Sequence, residues 1–132
     1  MAKTIASSLC LLILALQVGC GACVPRPSVT SVSPSSATAG DLQFLLTVNG
    51  DDFRRNSEVS WNGSFRVTSF VSSHQLVATI SAADIAQPGT LFVMVFNPPE
   101  QRIPPVSGAI AVSPLTMCNG KTSNSVPFIV HP

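Results

Sequence analysis

The chain reads as all-β, an immunoglobulin-like sandwich of about seven strands behind an N-terminal export segment. Three observations predict this. Short apolar runs recur at spacings of about 8–12 residues with turn residues between them. Eleven prolines accompany no long helical pattern. Residues 42–63, LQFLLTVNGDDFRRNSEVSWNG, hold two strand-like runs, a polar loop and an Asn62-Gly63 hairpin turn. The chain has 132 residues, which suits one domain. Without the export segment about 110 remain, enough for a sandwich with its own core.

Residues 1–18 place one basic residue, Lys3, before an apolar run from Ile5 to Leu16 broken only by Ser7 and Ser8. That is the pattern of a secretory signal, and it is shorter than the ~20 apolar residues of a spanning helix. Residues 1–23 are therefore expected to be the signal segment and 24–132 the domain. Gly19-Cys20 is similar to the lipobox of bacterial lipoproteins, with Cys20 the lipidated residue, although Gln17 stands where an aliphatic residue is usual. Ordinary cleavage near Gly21 or Ala22 is the other reading. A single acyl chain gives only marginal membrane attachment.

From Val24 to Pro27 the chain reads as a stiff leader, because each proline pushes its predecessor toward extended backbone. Ser28 to Val32 is a strand stopped by Ser33-Pro34, and residues 35–40, small and polar, are a turn. Leu42, Phe44, Leu45, Leu46 and Val48 make the next strand, residues 49–52 a polar loop, and Phe53 an apolar plug. Val59 and Trp61 share one strand face, with Glu58 and Ser60 on the other. Residues 64–70 read as one alternating strand with Phe65, Val67 and Phe70 inward. Residues 75–80 place Leu76, Ala78 and Ile80 on one face, and residues 81–86 fit a single helical turn. The run from Thr90 to Phe96, continuous rather than alternating, suits a central strand with both faces partly covered, and the core is expected to bring Val59, Trp61 and Phe92 together. Val126, Phe128 and Val130 alternate in the closing strand.

These residues in this order resemble an IPT/TIG domain. The carriers are PSVTSVSPSSATAG (27–40), VNGDDF (48–53), VSWNG (59–63) and the Asn97-Pro98 strand end. The family is the immunoglobulin-like fold of plexins, transcription factors and many bacterial exported proteins, and the motifs are closest in style to the bacterial exported kind. The resemblance covers residues 27–132 and implies a non-catalytic module that serves as a spacer, an adhesion element or a binding surface. One departure stands out: residues 99–120 intervene where the family has a short hairpin. That insertion has an apolar centre, Ala109 to Val112, and reads either as docked on the sandwich or as an individual recognition loop.

Charge narrows the function classes. Charged residues are 10% of the chain against roughly 25% in an average domain, and the net charge is +1. No basic footprint for nucleic acid is present, so no nucleic-acid partner is expected. The expected partner is a protein or glycan at the cell envelope, with possible membrane attachment through the lipid anchor. Of the four cysteines, Cys10 leaves with the signal; if Cys20 is lipidated, Cys23 and Cys118 are left to form a disulfide. Cys20-Gly-Ala-Cys23 has the spacing of a redox or metal motif, but neither His74 nor His131 completes a zinc set.

No cofactor, metal or catalytic group is expected. Ser72, Ser73 and His74 are contiguous, whereas triad members converge from different elements. Asn49, Asp51 and Asp52 lack the calcium-loop spacing and read as a self-bonded polar loop. Arg54, Arg55 and Arg66 are too few for an anion site. Trp61 reads as core rather than as a sugar platform, and the Asn62-Gly63-Ser64 sequon matters only in a eukaryotic secretory pathway. The alternatives to an interaction module are a carbohydrate-binding module, which needs an exposed aromatic row, and a simple structural spacer.

Overall fold

A computed structural model describes residues 23–100 and 119–132. The expected signal segment up to Ala22, with Cys20, as well as Cys118 and most of the 99–120 insertion, lie outside the described residues. Among the described residues ten strands form two facing sheets. Seven have four residues or more: β1 (Ser28–Ser33), β3 (Phe44–Asp51), β4 (Glu58–Trp61), β6 (Thr68–Ser72), β7 (Gln75–Ile80), β8 (Gly89–Asn97) and β10 (Val126–His131). Three are shorter: β2 (Ser36–Thr38), β5 (Ser64–Arg66) and β9 (Lys121–Thr122). The smaller sheet has the order β1-β3-β7-β6, and the larger β2-β10-β8-β4-β5 with β9 also on β8.

The core follows the expected alternation where each strand stays in one sheet. Leu46 and Val48 of β3 and Leu76, Ala78 and Ile80 of β7 are buried from one sheet, and Val59, Trp61, Val93, Val95, Phe128 and Val130 from the other. Trp61 is core: its ring lies 4.9 Å from that of Phe128, tilted by 58°, and Phe128 stacks on Phe44 at 5.8 Å. The Asn62-Gly63 turn has positive φ at both residues (47° and 93°), the conformation that matches hairpin twist. It sets Trp61 opposite Ser64. The expected helical turn is a 3-10 turn, Ala82–Ile85, which buries Ile85.

Four expectations are corrected. Residues 64–70 are not one strand: β5 pairs with β4 in the larger sheet and β6 with β7 in the smaller. The chain changes sheet at Val67, which resets the alternation, so Phe65 and Val67 face outward, 54% and 78% exposed. Only Phe70 packs toward the core. Phe92 also points out, because β8 alternates strictly: Val93 and Val95 face in, Phe92 is 47% exposed, and so it does not meet Val59 and Trp61 in the core.

Residues 35–40 include β2, which lies parallel to β10, with Ser36, Ala37 and Thr38 opposite Ile129, Val130 and His131. Asn49 to Asp51 extend β3 instead of leaving it. Phe53 then plugs the core, and its N–H donates to the Ser73 carbonyl at 2.9 Å. Gly50 is required there, since a Cβ would stand 1.9 Å from the Ser28 carbonyl oxygen. The stiff leader is docked: Val24 and Pro27 are buried, and Arg26 Nε donates to the Thr122 carbonyl at 3.0 Å.

Trp61→Ala and Phe128→Ala are each expected to lower stability by about 3–5 kcal/mol in urea unfolding, while Phe65→Ser stays within about 1 kcal/mol. Equal losses for Trp61→Ala and Phe65→Ser would mean that the two faces of the larger sheet are assigned the wrong way round.

Candidate interaction surfaces

Alternation on β8 decides what the outer face of the larger sheet displays. Because Val93 and Val95 are spent on the core, Phe92, Met94 and Phe96 stand on the other side. Their cross-strand neighbours add to them. Phe65 lies opposite Ser60, which lies opposite Met94; Pro127 lies opposite Phe92, and Ile129 opposite Thr90. Phe65 and Phe96 stack at 5.8 Å with 30° between their planes. The result is an apolar diagonal across β5, β4, β8 and β10 in which Phe65, Phe92 and Ile129 remain about half exposed. Gly120, next to β9, sits against this face: a Cβ there would stand 2.3 Å from Phe96 Cζ.

A second surface lies at the end of β8. Asn97 is fully buried and its side chain is saturated. Nδ2 donates to the carbonyls of Asp52 (2.8 Å) and Pro25 (3.0 Å), and Oδ1 accepts from Ser57 Oγ at 2.5 Å. Ser57 Oγ in turn accepts from the Arg54 N–H at 2.7 Å. One amide thus fixes the leader and the 53–57 loop to β8. On the far side of that loop Phe53, Arg54, Arg55, Asn56, Phe70 and Glu100 line an open groove of about 520 Å³.

Arg66 is committed to structure. Its Nε and Nη2 donate to the two carboxylate oxygens of Asp84, at 3.0 and 2.6 Å, joining β5 to the 3-10 turn. Burial pushes the Asp84 carboxyl up, but hydrogen bonds from Arg66 and from the Ser81 N–H and Oγ outweigh it, so the carboxyl is held below its ordinary value.

The remaining polar candidates disperse. His74 Nδ1 lies 3.0 Å from Asp51 Oδ1 and 3.1 Å from the Gly50 carbonyl, a pairing that adjacency in sequence did not suggest. Both side chains are well exposed, and Ser72 Oγ accepts the backbone N–H of His74 rather than facing the ring. Asn49 bonds Ser31 and Gln75, while Asp52 offers its carbonyl to Asn97. Among the described residues no three His, Cys, Asp or Glu side chains stand together as a metal set. Cys23 is disulfide-bonded, with its partner outside the described residues. His131 and Asn62 are exposed. No helix among the described residues is long and apolar enough to cross a membrane.

Sequence reasoning missed the outer face because it placed Phe65 and Phe92 inside. The signal was present, since a nine-residue β8 cannot aim all six residues of its apolar run, 91–96, at one side.

Replacing Asn97 with Ala is expected to cost about 3 kcal/mol, because two carbonyls and a hydroxyl lose their buried partner. Asn97→Asp is expected to destabilise as well, since a carboxylate cannot donate to Pro25 and Asp52; urea midpoints for both variants check this.

The lowered Asp84 value makes its share of stability complete above the unfolded value near 3.8, and it is lost as pH falls through the folded value. Asp84→Asn should therefore flatten the acid side of the stability profile below about pH 4 and leave its neutral-to-basic shape unchanged.

An IPT/TIG domain model matches residues 27–128. Among solved structures, the chain is similar to the TIG domain from human nuclear factor of activated T-cells, cytoplasmic 4, known from a solution structure. The two are 18% identical with a TM-score of 0.48, over 86% of this chain and 95% of that one. No curated protein matches the chain. With the family model spanning most of the sandwich, from the docked leader to the inward Phe128, the chain belongs to the IPT/TIG domain family, whose members are non-catalytic immunoglobulin-like modules that often serve in protein interactions.

Proposed function

We propose that this chain is an exported cell-envelope or surface interaction module that holds a protein partner on the outer face of its larger sheet and carries no catalytic activity. The observation that supports it is the apolar diagonal of Phe65, Phe92, Met94, Phe96, Pro127 and Ile129, in which Phe65, Phe92 and Ile129 are about half exposed. Contiguous apolar surface of this kind marks interaction sites, since water gains when it is covered. Export rests on the n-region and h-region of residues 1–18, and attachment on Cys20 as a lipid acceptor.

The same face favours a second reading. Phe65, Phe96 and Phe92 form the aromatic row that a carbohydrate-binding module needs. Phe65 and Phe96, however, are stacked on each other, and the pairing position between Phe65 and Met94 is Ser60, which is buried. Sugar recognition asks for hydrogen-bonding groups beside the ring, so protein is the better fit.

Capture from native envelope extract by the chain, followed by a glycan array, tests both readings. Phe92→Ser is expected to reduce protein capture at least about tenfold without changing the unfolding midpoint. Glycan binding with the same sensitivity would replace protein by sugar. Capture untouched by Phe92→Ser would take the site away from this face.

We further propose that the partner of the Cys23 disulfide is Cys118, since Cys10 leaves with the signal and a lipidated Cys20 has no free thiol. Mass spectrometry of the non-reduced protein is expected to find a peptide containing Cys23 joined to one containing Cys118. A Cys20–Cys23 link would overturn both the pairing and the lipidation of Cys20.

A further inference from the structure

Two arginines share the groove beside the 53–57 loop, in a chain with only seven Lys and Arg. Arg54 Nη1 is shut off from solvent and lies 2.7 Å from Glu100 Oε1, yet it makes no hydrogen bond: the carboxylate stands close but off the N–H direction. Arg55 sits over the Phe70 ring, 5.7 Å from its centroid, and forms no ion pair among the described residues. Phe53 closes the floor. The groove therefore combines two guanidinium groups with an aromatic wall, and a peptide carboxylate of the chain's own already occupies part of it.

We propose that this groove is a recognition site for an acidic peptide segment of a protein partner, and that Glu100 stands in for the partner's carboxylate in the free chain. The inference deepens the interaction reading above, on which it rests, and adds a second contact of defined chemistry. Glu100, on the proline-rich exit from β8, shows what the groove accepts: a glutamate on a segment outside the strands. Its hold is weak, since the two side chains are 31% and 50% exposed and such pairs contribute little. An incoming glutamate or aspartate gains what Glu100 does not have, an in-line bidentate approach to a guanidinium. An apolar neighbour in the partner covers Phe70. The 53–57 loop is preorganised for this by the bonds from Ser57 to Asn97 and from the Arg54 N–H to Ser57.

The test is an NMR titration of the full chain with acetyl-Pro-Pro-Glu-Phe-amide, which copies residues 98–100 ahead of an aromatic, and with its Gln counterpart. The Glu peptide is expected to shift the amides of Arg54, Arg55, Asn56 and Phe70, and the Gln peptide to leave them in place. E100Q, which removes the resident competitor, should tighten binding about two- to fivefold. R55Q should weaken it about fivefold or more, and raised salt should weaken it in the parent chain. The proposal is overturned if the Glu peptide shifts none of these amides even in E100Q, if both peptides bind alike, or if glucuronate shifts them and the peptide does not. Envelope protein capture that depends on Phe92 but is unchanged in the R54Q/R55Q double variant would reject the groove while leaving the interaction module standing. Loss of all capture by the unaltered chain would remove the module reading itself.

Discussion

The buried amide of Asn97 is the constraint on which one end of the sandwich depends. A primary amide offers two donors and one strong acceptor, and all three are used: one carbonyl from the leader, one from the loop after β3, and the Ser57 hydroxyl. Each of those groups lies where the backbone has left the sheet ladders and has no strand neighbour to satisfy it. An unpaired buried carbonyl costs about 1–3 kcal/mol, so a single side chain that pairs two of them and a hydroxyl replaces a network that would otherwise need ordered water. The consequence is mechanical. The leader, the 53–57 loop and the end of β8 are tied to one another through this side chain, and the groove lies beside that loop.

A second amide repeats the device between the sheets. Asn124 Oδ1 accepts the Val29 N–H and Nδ2 donates to the Val29 carbonyl, both at 2.9 Å, as a strand neighbour would. Val29 lies at the register shift of β1, where the ladder to β3 is interrupted. Next to Asn124, Ser123 bonds Val95 through both its backbone and its hydroxyl, carrying β9 into β10 without a break in contact with β8. In a chain so poor in charge, amides and hydroxyls do the joining that ion pairs do elsewhere. Arg66 with Asp84, the least exposed ion pair among the described residues, clamps the point where the chain crosses between sheets.

The two faces of the larger sheet have separate tasks. Inward side chains interlock around Trp61 and Phe128 and set stability. Outward ones, led by Phe65, Phe92 and Ile129, add little to folding because they remain half wet, and so they are free to be complementary to something else. Gly120 brings the backbone onto the Phe96 ring at the border of that face.

Residue pattern alone determined the sheet class, the paired strands flanking Asn62-Gly63, the inward set of β7 and the core position of Trp61. Each depends on period-two alternation or on a turn dipeptide, and both are local properties. The family motifs came with them, Asn97 included, although a motif does not say that its side chain is a three-way anchor. Tertiary structure alone decided the rest. Val67 is where the chain changes sheet, so Phe65 and Val67 reversed their expected sense. An unbroken run such as residues 91–96 carries no mark of which half faces the core, and only pairing with β4 and β10 put Phe92 outside. Arg54, Arg55, Phe70 and Glu100 come from three separate stretches of chain, and no linear spacing connects them: long-range contacts bring them to one groove, and those are fixed by the closing of two sheets over a common core.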